Sequence, residues 1–418
     1  MTTASANGEH EVNQVEALTE IHSAFVMACE ALTSPSYAPR QRAETLMECH
    51  GRVLAAYGPG IPLTFGEFRA KLRGPLVDLL PPWVAPEGLE DLTALDPDGY
   101  VTGDAFDLKW ETDELQRIIR KLQGFNSRRV SVQALEDHLA QEEIFSIIKG
   151  RGEAQYRIDR SNLISHAAQP RTEIGELGLP MKAIGFYTEI SYESVYHGWW
   201  FPCPVCRWPM KVSKLRSGDR DHHKVSCFYP RHAETGASYQ FRPTAGEAPV
   251  LHPSGVETVP PQREVPLFLD AGGDIPQAVR AEGHIALKRG VWRYTCVPGL
   301  HELRLHEVLT RKLAGTGAEV RLWPMQDAFD HLVTVPTSDG GKHTFTVDLK
   351  DYSHGRLLAR TIHRAEGDKG GAEWLVVPDH RANQVPLLTG VCAEYDMKAT
   401  TMTEFSEMVC RTAGVDWP

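Results

Sequence analysis

Cys203-Pro204-Val205-Cys206 is the stretch that most restricts how this chain folds. Two thiolates at this spacing reach one tetrahedral ion only from a tight turn. Cys227 follows after twenty intervening residues, and His232 lies five positions beyond it. Together they make a Cys3His set whose loop has the length of a zinc ribbon. His222 and His223 lie close enough to substitute for His232, so the fourth ligand stays open at this stage. Four protein ligands leave no position for water, which predicts a structural Zn²⁺. Trp199, Trp200, Phe201 and Trp208 supply a small core that needs such a staple. Their expected use is packing, with stacking on bases as the alternative.

The other five cysteines, at 29, 49, 296, 392 and 410, are scattered singly. That pattern excludes a disulfide framework and fits a reducing compartment. A length of 418 residues predicts two to four domains at roughly 100–200 residues each. With 42% hydrophobic and 24% charged residues, the chain is neither disordered, collagen-like nor a coiled coil. No apolar run approaches the ~18 residues of a membrane span. The opening residues MTTASANGEHEV have no basic stretch followed by an apolar one, so a cytoplasmic location is expected. Net charge is −11, from 44 basic and 55 acidic residues, which does not favour a polyanionic partner. Whole-chain charge hides local patches, however, and acidic metal ligands add to the negative count.

The organisation expected is multidomain α+β. Residues 1–184 form a mainly helical N-terminal region, 185–245 a central zinc ribbon, 246–284 a linker and 285–418 a C-terminal α/β core. Residues 1–14 are small and polar, and disorder is expected there. Helical spacing of Ala17, Leu18, Ile21 and Phe25 runs to a break at Ser34-Pro35 and Pro39. Helix is expected again near Thr112, followed by a basic run of Arg117, Arg120, Lys121, Arg128 and Arg129. Residues 155–160 alternate as Gln-Tyr-Arg-Ile-Asp-Arg. This region reads as a solvated helical face, with a helix-turn-helix and wing as the alternative.

The C-terminal part carries the chemistry. Residues 319–323 read as a strand running into a turn, and His331–Val335 as a second strand. Ser338-Asp339-Gly340-Gly341 reads as a hairpin turn and Thr344–Lys350 as a third strand. A helix from Gly355 and a strand at Glu373–Val377 follow. Asp330 and Asp348 face each other across the hairpin, and alternation puts Lys350 on the face of Asp348. Two carboxylates and a lysine at strand ends suit a divalent-metal phosphodiesterase: the acids hold Mg²⁺, which acidifies a water, and the lysine orients that water or stabilises the charged transition state. Asp-x-Lys also occurs at Asp107/Lys109 and Asp396/Lys398, but those copies lack the hairpin and the upstream aspartate. A helix predicted from about His301 to Ala314 carries Leu305, Val308, Leu309 and Leu313 on one stripe. Glu302 falls within that stripe, where a carboxylate needs a partner or a metal. Its alternative role is to complement the helix dipole. Asp327 competes with Asp330 for the metal role, His331 is a candidate hydrogen-bond partner, and Asp351 and Tyr352 read as strand exit and helix cap. His354, Arg356 and Arg360 are candidate phosphate contacts.

Helix, strand, hairpin with Asp330, strand with Asp348-Leu349-Lys350, helix and strand together resemble the restriction-endonuclease-like PD-(D/E)xK core over about Leu300 to Asp379. More narrowly, Leu322-Trp323-Pro324, Val347–Tyr352 and the Trp199–Cys206 knuckle resemble the restriction-endonuclease-like proteins associated with pPIWI-RE prokaryotic defence systems. Phe329 stands where that superfamily commonly has proline. The resemblance implies catalysis by Glu302, Asp330, Asp348 and Lys350, with Mg²⁺ or Mn²⁺ on Asp330 and Asp348. It implies a DNA endonuclease acting with Piwi-like and helicase proteins, and a homodimer where both strands are cut. The alternative is a zinc-ribbon adaptor that binds nucleic acid through an inactive or partner-gated nuclease fold.

Overall fold

The computed structural model describes residues 3–35, 37–86, 89–97, 99–112, 132–217, 220–243, 246–254, 274–337 and 340–417, in a mixed α+β structure. The basic run from Arg117 to Arg129, the helix expected beyond Thr112 and the Ser338-Asp339 half of the hairpin turn lie outside the described residues. The chain divides into two compact units, Met1–Arg128 with Tyr352–Arg364, and Arg129–Asp351 with Ala365–Pro418.

In the first unit, Pro39 opens the helix Pro39–Tyr57, where its missing N–H is not needed. The preceding helix begins already at Thr3 and runs to Thr33, so the disorder expected for residues 1–14 is corrected from Thr3 onward, residues 1 and 2 lying outside the described residues. Alanine, glutamate and glutamine there favour continuation of the helix that buries Leu18, Ile21 and Phe25 further along. A capping box of Thr64 and Glu67 starts Phe65–Lys71. Ile21, Phe25, Val53, Phe68, Leu108 and Leu357 share one core. Thr102 caps a helix over residues 103–112, which places Asp107 and Glu111 one turn apart. Glu111 accepts from the Ser353 and His354 amides at 2.6 and 2.9 Å and from His354 Nδ1 at 2.9 Å. Asp107 accepts from Ser353 Oγ at 2.5 Å. The cap ahead of the helix Gly355–Arg364 is therefore Glu111, which corrects the capping role expected of Asp351. His354, a candidate phosphate contact, has its Nδ1 engaged by Glu111.

In the second unit, a five-stranded sheet takes its strands in chain order: Glu319–Leu322, His331–Pro336, Lys342–Leu349, Trp374–Val377 and Lys398–Thr401. The first three are antiparallel and the last two join in parallel. Leu305 and Leu309 of the helix Val297–Lys312, and Phe405 and Val409 of Met402–Thr412, pack with Val333, Phe345 and Val347 of the sheet. The first of these helices starts four residues earlier than expected. Pro298 follows directly on a π-helical turn, Trp292–Cys296, so its missing N–H falls where the helical bonding pattern changes. Gly299 is required because a Cβ there would fall 2.5 Å from Ile164 Cδ1.

Ile164 belongs to the helix Glu153–Ser165, which replaces the alternating wing of the alternative reading. Tyr156, Arg160, Leu163 and Ile164 are buried at helical spacing, while Ile158 is 54% exposed. Period 3.6 prevails over period 2 in this stretch. Tyr156, Phe201, Cys203, Trp208, Trp292 and Trp323 lie in one hydrophobic core, so the knuckle packs with the segments before and after it. Trp208 stacks on Trp292 at 4.3 Å and donates to the Leu287 carbonyl at 2.8 Å. Within the segment read as a linker, His252–Pro253 pairs on Ser238–Phe241 and Val279–Arg280 pairs on Trp199–Trp200. Among the described residues no helix is long and apolar enough to cross a membrane.

Candidate active site

Asp330 stands immediately before its strand, tied by its amide to the Val347 carbonyl at 2.8 Å. That register sets it beside the end of the neighbouring strand, and its Oδ2 accepts from the Leu349 amide at 2.6 Å. Asp348 is the penultimate residue of Lys342–Leu349, and Lys350 follows the strand's last residue. Lys350 Nζ lies 2.7 Å from Asp348 Oδ1 and 4.0 Å from Asp330 Oδ2, so one ammonium serves both acids. Asp348 Oδ2 is buried and finds no hydrogen-bond donor among the described residues. Burial, Glu302 and Asp348 push the Asp330 carboxyl well above the usual carboxylate range. Burial alone would lower the Lys350 ammonium, but Asp348 and Asp330 hold it above its ordinary value.

Glu302 reaches the same site from the helix Val297–Lys312 and is 3% exposed. Its Oε2 accepts from Arg160 Nη2 at 2.6 Å and from Trp323 Nε1 at 2.5 Å. Burial raises the Glu302 carboxyl, and Arg160 pulls it back. Arg160 was not among the residues expected here. It lies 4.4 Å over the Trp323 ring, 4.0 Å from Asp330 Oδ1, and forms an ion pair with Asp327. The signal that locates it is the Tyr156–Arg160–Leu163 spacing, which aims the guanidinium inward once the segment is helical.

Asp327 is directed to Arg160 and to Tyr156, whose hydroxyl donates to Asp327 Oδ2 at 2.8 Å. His331 Nε2 donates to the Glu302 carbonyl at 2.9 Å, and burial pushes its imidazole down to about 3, so it is neutral. It is a hydrogen-bond partner, as expected. Glu302, Asp327, Asp330 and Asp348 thus share Arg160 and Lys350, with Lys149 at 3.9 Å from Asp327. Negative charge exceeds positive, and one carboxylate oxygen lacks a donor.

The family comparison decides what this arrangement is similar to. Residues 299–417 match the model of the REase associating with pPIWI_RE. The match begins in the Glu302 helix, takes in Asp330, Asp348 and Lys350, and continues through Lys398–Thr401 and Met402–Thr412. It is the family that the Asp330 and Asp348-Leu349-Lys350 pattern resembles. No curated protein and no solved structure matches the chain.

Upstream of the matched segment, Cys203, Cys206, Cys227 and His232 are buried with their ligand atoms all within 4.8 Å of one another. Tetrahedral Zn²⁺ with bonds of about 2.3 Å to sulfur and about 2.0 Å to nitrogen needs S–S edges of about 3.8 Å and S–N edges of about 3.5 Å. Cys206 and Cys227 sulfurs are 3.8 Å apart, and Cys227 Sγ lies 3.6 Å from His232 Nδ1. The donor set therefore fits zinc. Of the alternatives for the fourth position, His222 accepts from Arg242 at 2.8 Å and His223 stacks on Phe241. His232 is the histidine in the cluster.

Proposed function

We propose that this chain is a metal-dependent endonuclease that hydrolyses DNA phosphodiester bonds, the nuclease effector of a prokaryotic defence system. The observation that carries the reading is the convergence of Glu302, Asp330, Asp348 and Lys350 inside the segment that matches the REase family. Asp330 and Asp348 would hold Mg²⁺ or Mn²⁺, which polarises the phosphate and acidifies a water. Lys350, kept protonated by both aspartates, adds positive charge where the attacked phosphate becomes more negative. It acts as a charge and not as a proton acceptor. Glu302, fixed by Arg160 and Trp323, completes the acidic set.

Residues 285–418 are assigned to the nuclease domain and 185–245 to a ribbon that holds Zn²⁺ on Cys203, Cys206, Cys227 and His232. The preceding helical region would bind DNA or a partner, and Piwi-like and helicase proteins are the partners that the family description suggests. The test is cleavage of plasmid and linear DNA with Mg²⁺, Mn²⁺ or EDTA, comparing wild type with Lys350→Ala. Metal-dependent cutting that disappears in the variant is the expected outcome. Cutting that survives in the variant, or in EDTA, would refute the assignment. Absence of cutting with the wild type, alone and with the partner proteins added, would favour the adaptor reading.

A further inference from the structure

The residue after Lys350 is held from a distant part of the chain. Asp351 is 3% exposed, and its Oδ2 accepts from the Tyr229 hydroxyl at 2.7 Å. Arg381 Nε reaches Asp351 Oδ1 at 3.1 Å, and Arg293 Nη2 donates to the Asp351 carbonyl at 3.2 Å. Both the side chain and the backbone of Asp351 are therefore restrained. Consecutive Cα atoms lie about 3.8 Å apart, so the restraint acts directly on the base of Lys350.

Tyr229 is positioned by the metal-ligand cluster. It stands between Cys227 and His232 in the chain, and its amide donates to Cys227 Sγ at 3.4 Å. Its ring meets the His232 imidazole edge-on, with centroids 4.8 Å apart. Tyr229 also forms the N-terminal boundary of the short helix Pro230–Glu234 that carries His232. A metal that fixes Cys227 and His232 thereby fixes the phenol between them. The hydroxyl of that phenol contacts Asp351 Oδ2 and, at 2.9 Å, His380 Nε2.

We infer that the Cys3His knuckle is a positioning element of the carboxylate–lysine site, acting through the Tyr229–Asp351 hydrogen bond to set the place of Lys350. The inference rests on the nuclease reading of that site. Tyr229 is thus a positioning residue, and zinc has a role beyond stapling a small core. Outer partners of metal-binding groups typically change metal affinity or activity by about 10–100-fold when removed.

The experiment uses the full chain and Tyr229→Phe, which keeps the ring and removes only the hydroxyl. Four quantities are read: zinc content, Mn²⁺ binding by loss of the free-ion EPR signal, single-turnover cleavage, and hydrogen exchange of the 348–352 backbone. The expected result is retained zinc, faster exchange at 348–352, and Mn²⁺ affinity and cleavage reduced by about tenfold or more. Retained zinc with exchange, Mn²⁺ affinity and cleavage all as in wild type would overturn the inference and leave the knuckle as scaffold only. If Tyr229→Phe loses zinc or fails to fold, wild type stripped of zinc takes its place. Unchanged Mn²⁺ affinity and exchange after stripping would overturn the inference equally. A wild type that neither binds Mn²⁺ nor cuts would refute the nuclease reading, while exchange at 348–352 would still decide whether Tyr229 controls that segment.

Discussion

Replacing Arg160 with methionine tests the electrostatic account of the site. The Arg160 side chain is 5% exposed and its partner Glu302 3% exposed, so neither charge is served by water. Methionine roughly preserves the bulk of the stem over Trp323 but removes the cation from Glu302 and Asp327. Glu302 would keep one donor, Trp323 Nε1. Breaking a buried pair by deleting one partner costs about 3–5 kcal/mol. At roughly 2–4 °C per kcal/mol for a domain of this size, melting should fall by roughly 6–20 °C. Part of this loss should be recovered in the double variant Arg160→Met with Glu302→Gln, because Glu302 is then neutral, while Asp327 still lacks its guanidinium. The deficit of the single variant should also shrink at low pH, where Glu302 takes up a proton and becomes neutral. The assay is a set of thermal and urea melts of wild type, both single variants and the double variant, in EDTA at about pH 8 and about pH 5. If Arg160→Met melts with the wild type, or the double variant shows the sum of the single effects, the pairing argument is wrong.

Further outcomes follow from the same geometry. Asp348→Asn should fold and melt near the wild-type temperature, since relief of repulsion from Asp330 offsets the lost ion pair with Lys350, while Mn²⁺ binding and cleavage are lost; calorimetry and a plasmid assay check both. Cys206→Ser should release zinc and lower stability, measured by metal analysis and melting, because a three-ligand site no longer closes around the ion. Glu302 and Asp330 are both raised above ordinary carboxylate values, so the folded state holds more protons than the unfolded state between those values and about pH 4. Metal-free stability from these groups should therefore rise as pH falls through that window, whereas Mn²⁺ affinity should fall because protons compete; melts and Mn²⁺ titrations at several pH values read the two opposite trends.

Local signals made part of this site legible in the sequence. The two-residue period puts Lys350 beside Asp348, and the observed 2.7 Å separation agrees with it. A carboxylate inside an apolar helical stripe marked Glu302, which is buried on the helix side that packs inward. The two thiols at 203 and 206 were unambiguous, whereas the fourth ligand became clear only from where Arg242 and Phe241 place His222 and His223. Arg160 escaped notice because Tyr-Arg-Ile-Asp-Arg satisfies both periods, and only tertiary packing selects the helical one. Asp351 was misread for a related reason. Its partner Tyr229 is 122 positions away, and no periodicity links two such residues. Helix capping by Glu111 was equally hidden, since the carboxylate and the amides that it caps are 242 and 243 positions apart.

Two buried acids of the segment that matches the REase family take counter-ions from outside it, beside Lys350 and Arg381 within it. Glu302 is neutralised by Arg160, while Asp351 pairs with Arg293 and accepts from the Tyr229 hydroxyl in addition to Arg381; Arg160, Tyr229 and Arg293 all precede residue 299. A buried carboxylate without its partner is costly enough to offset much of a domain's stability. The helix Glu153–Ser165 and the Cys3His knuckle are therefore energetically part of the site, although neither lies within the matched residues. This explains why one hydrophobic core holds Tyr156, Cys203, Trp292 and Trp323 together. In this chain, Arg160 and Arg293 from elements ahead of the sheet join Lys350 and Arg381 in pairing the acids buried around its strand ends.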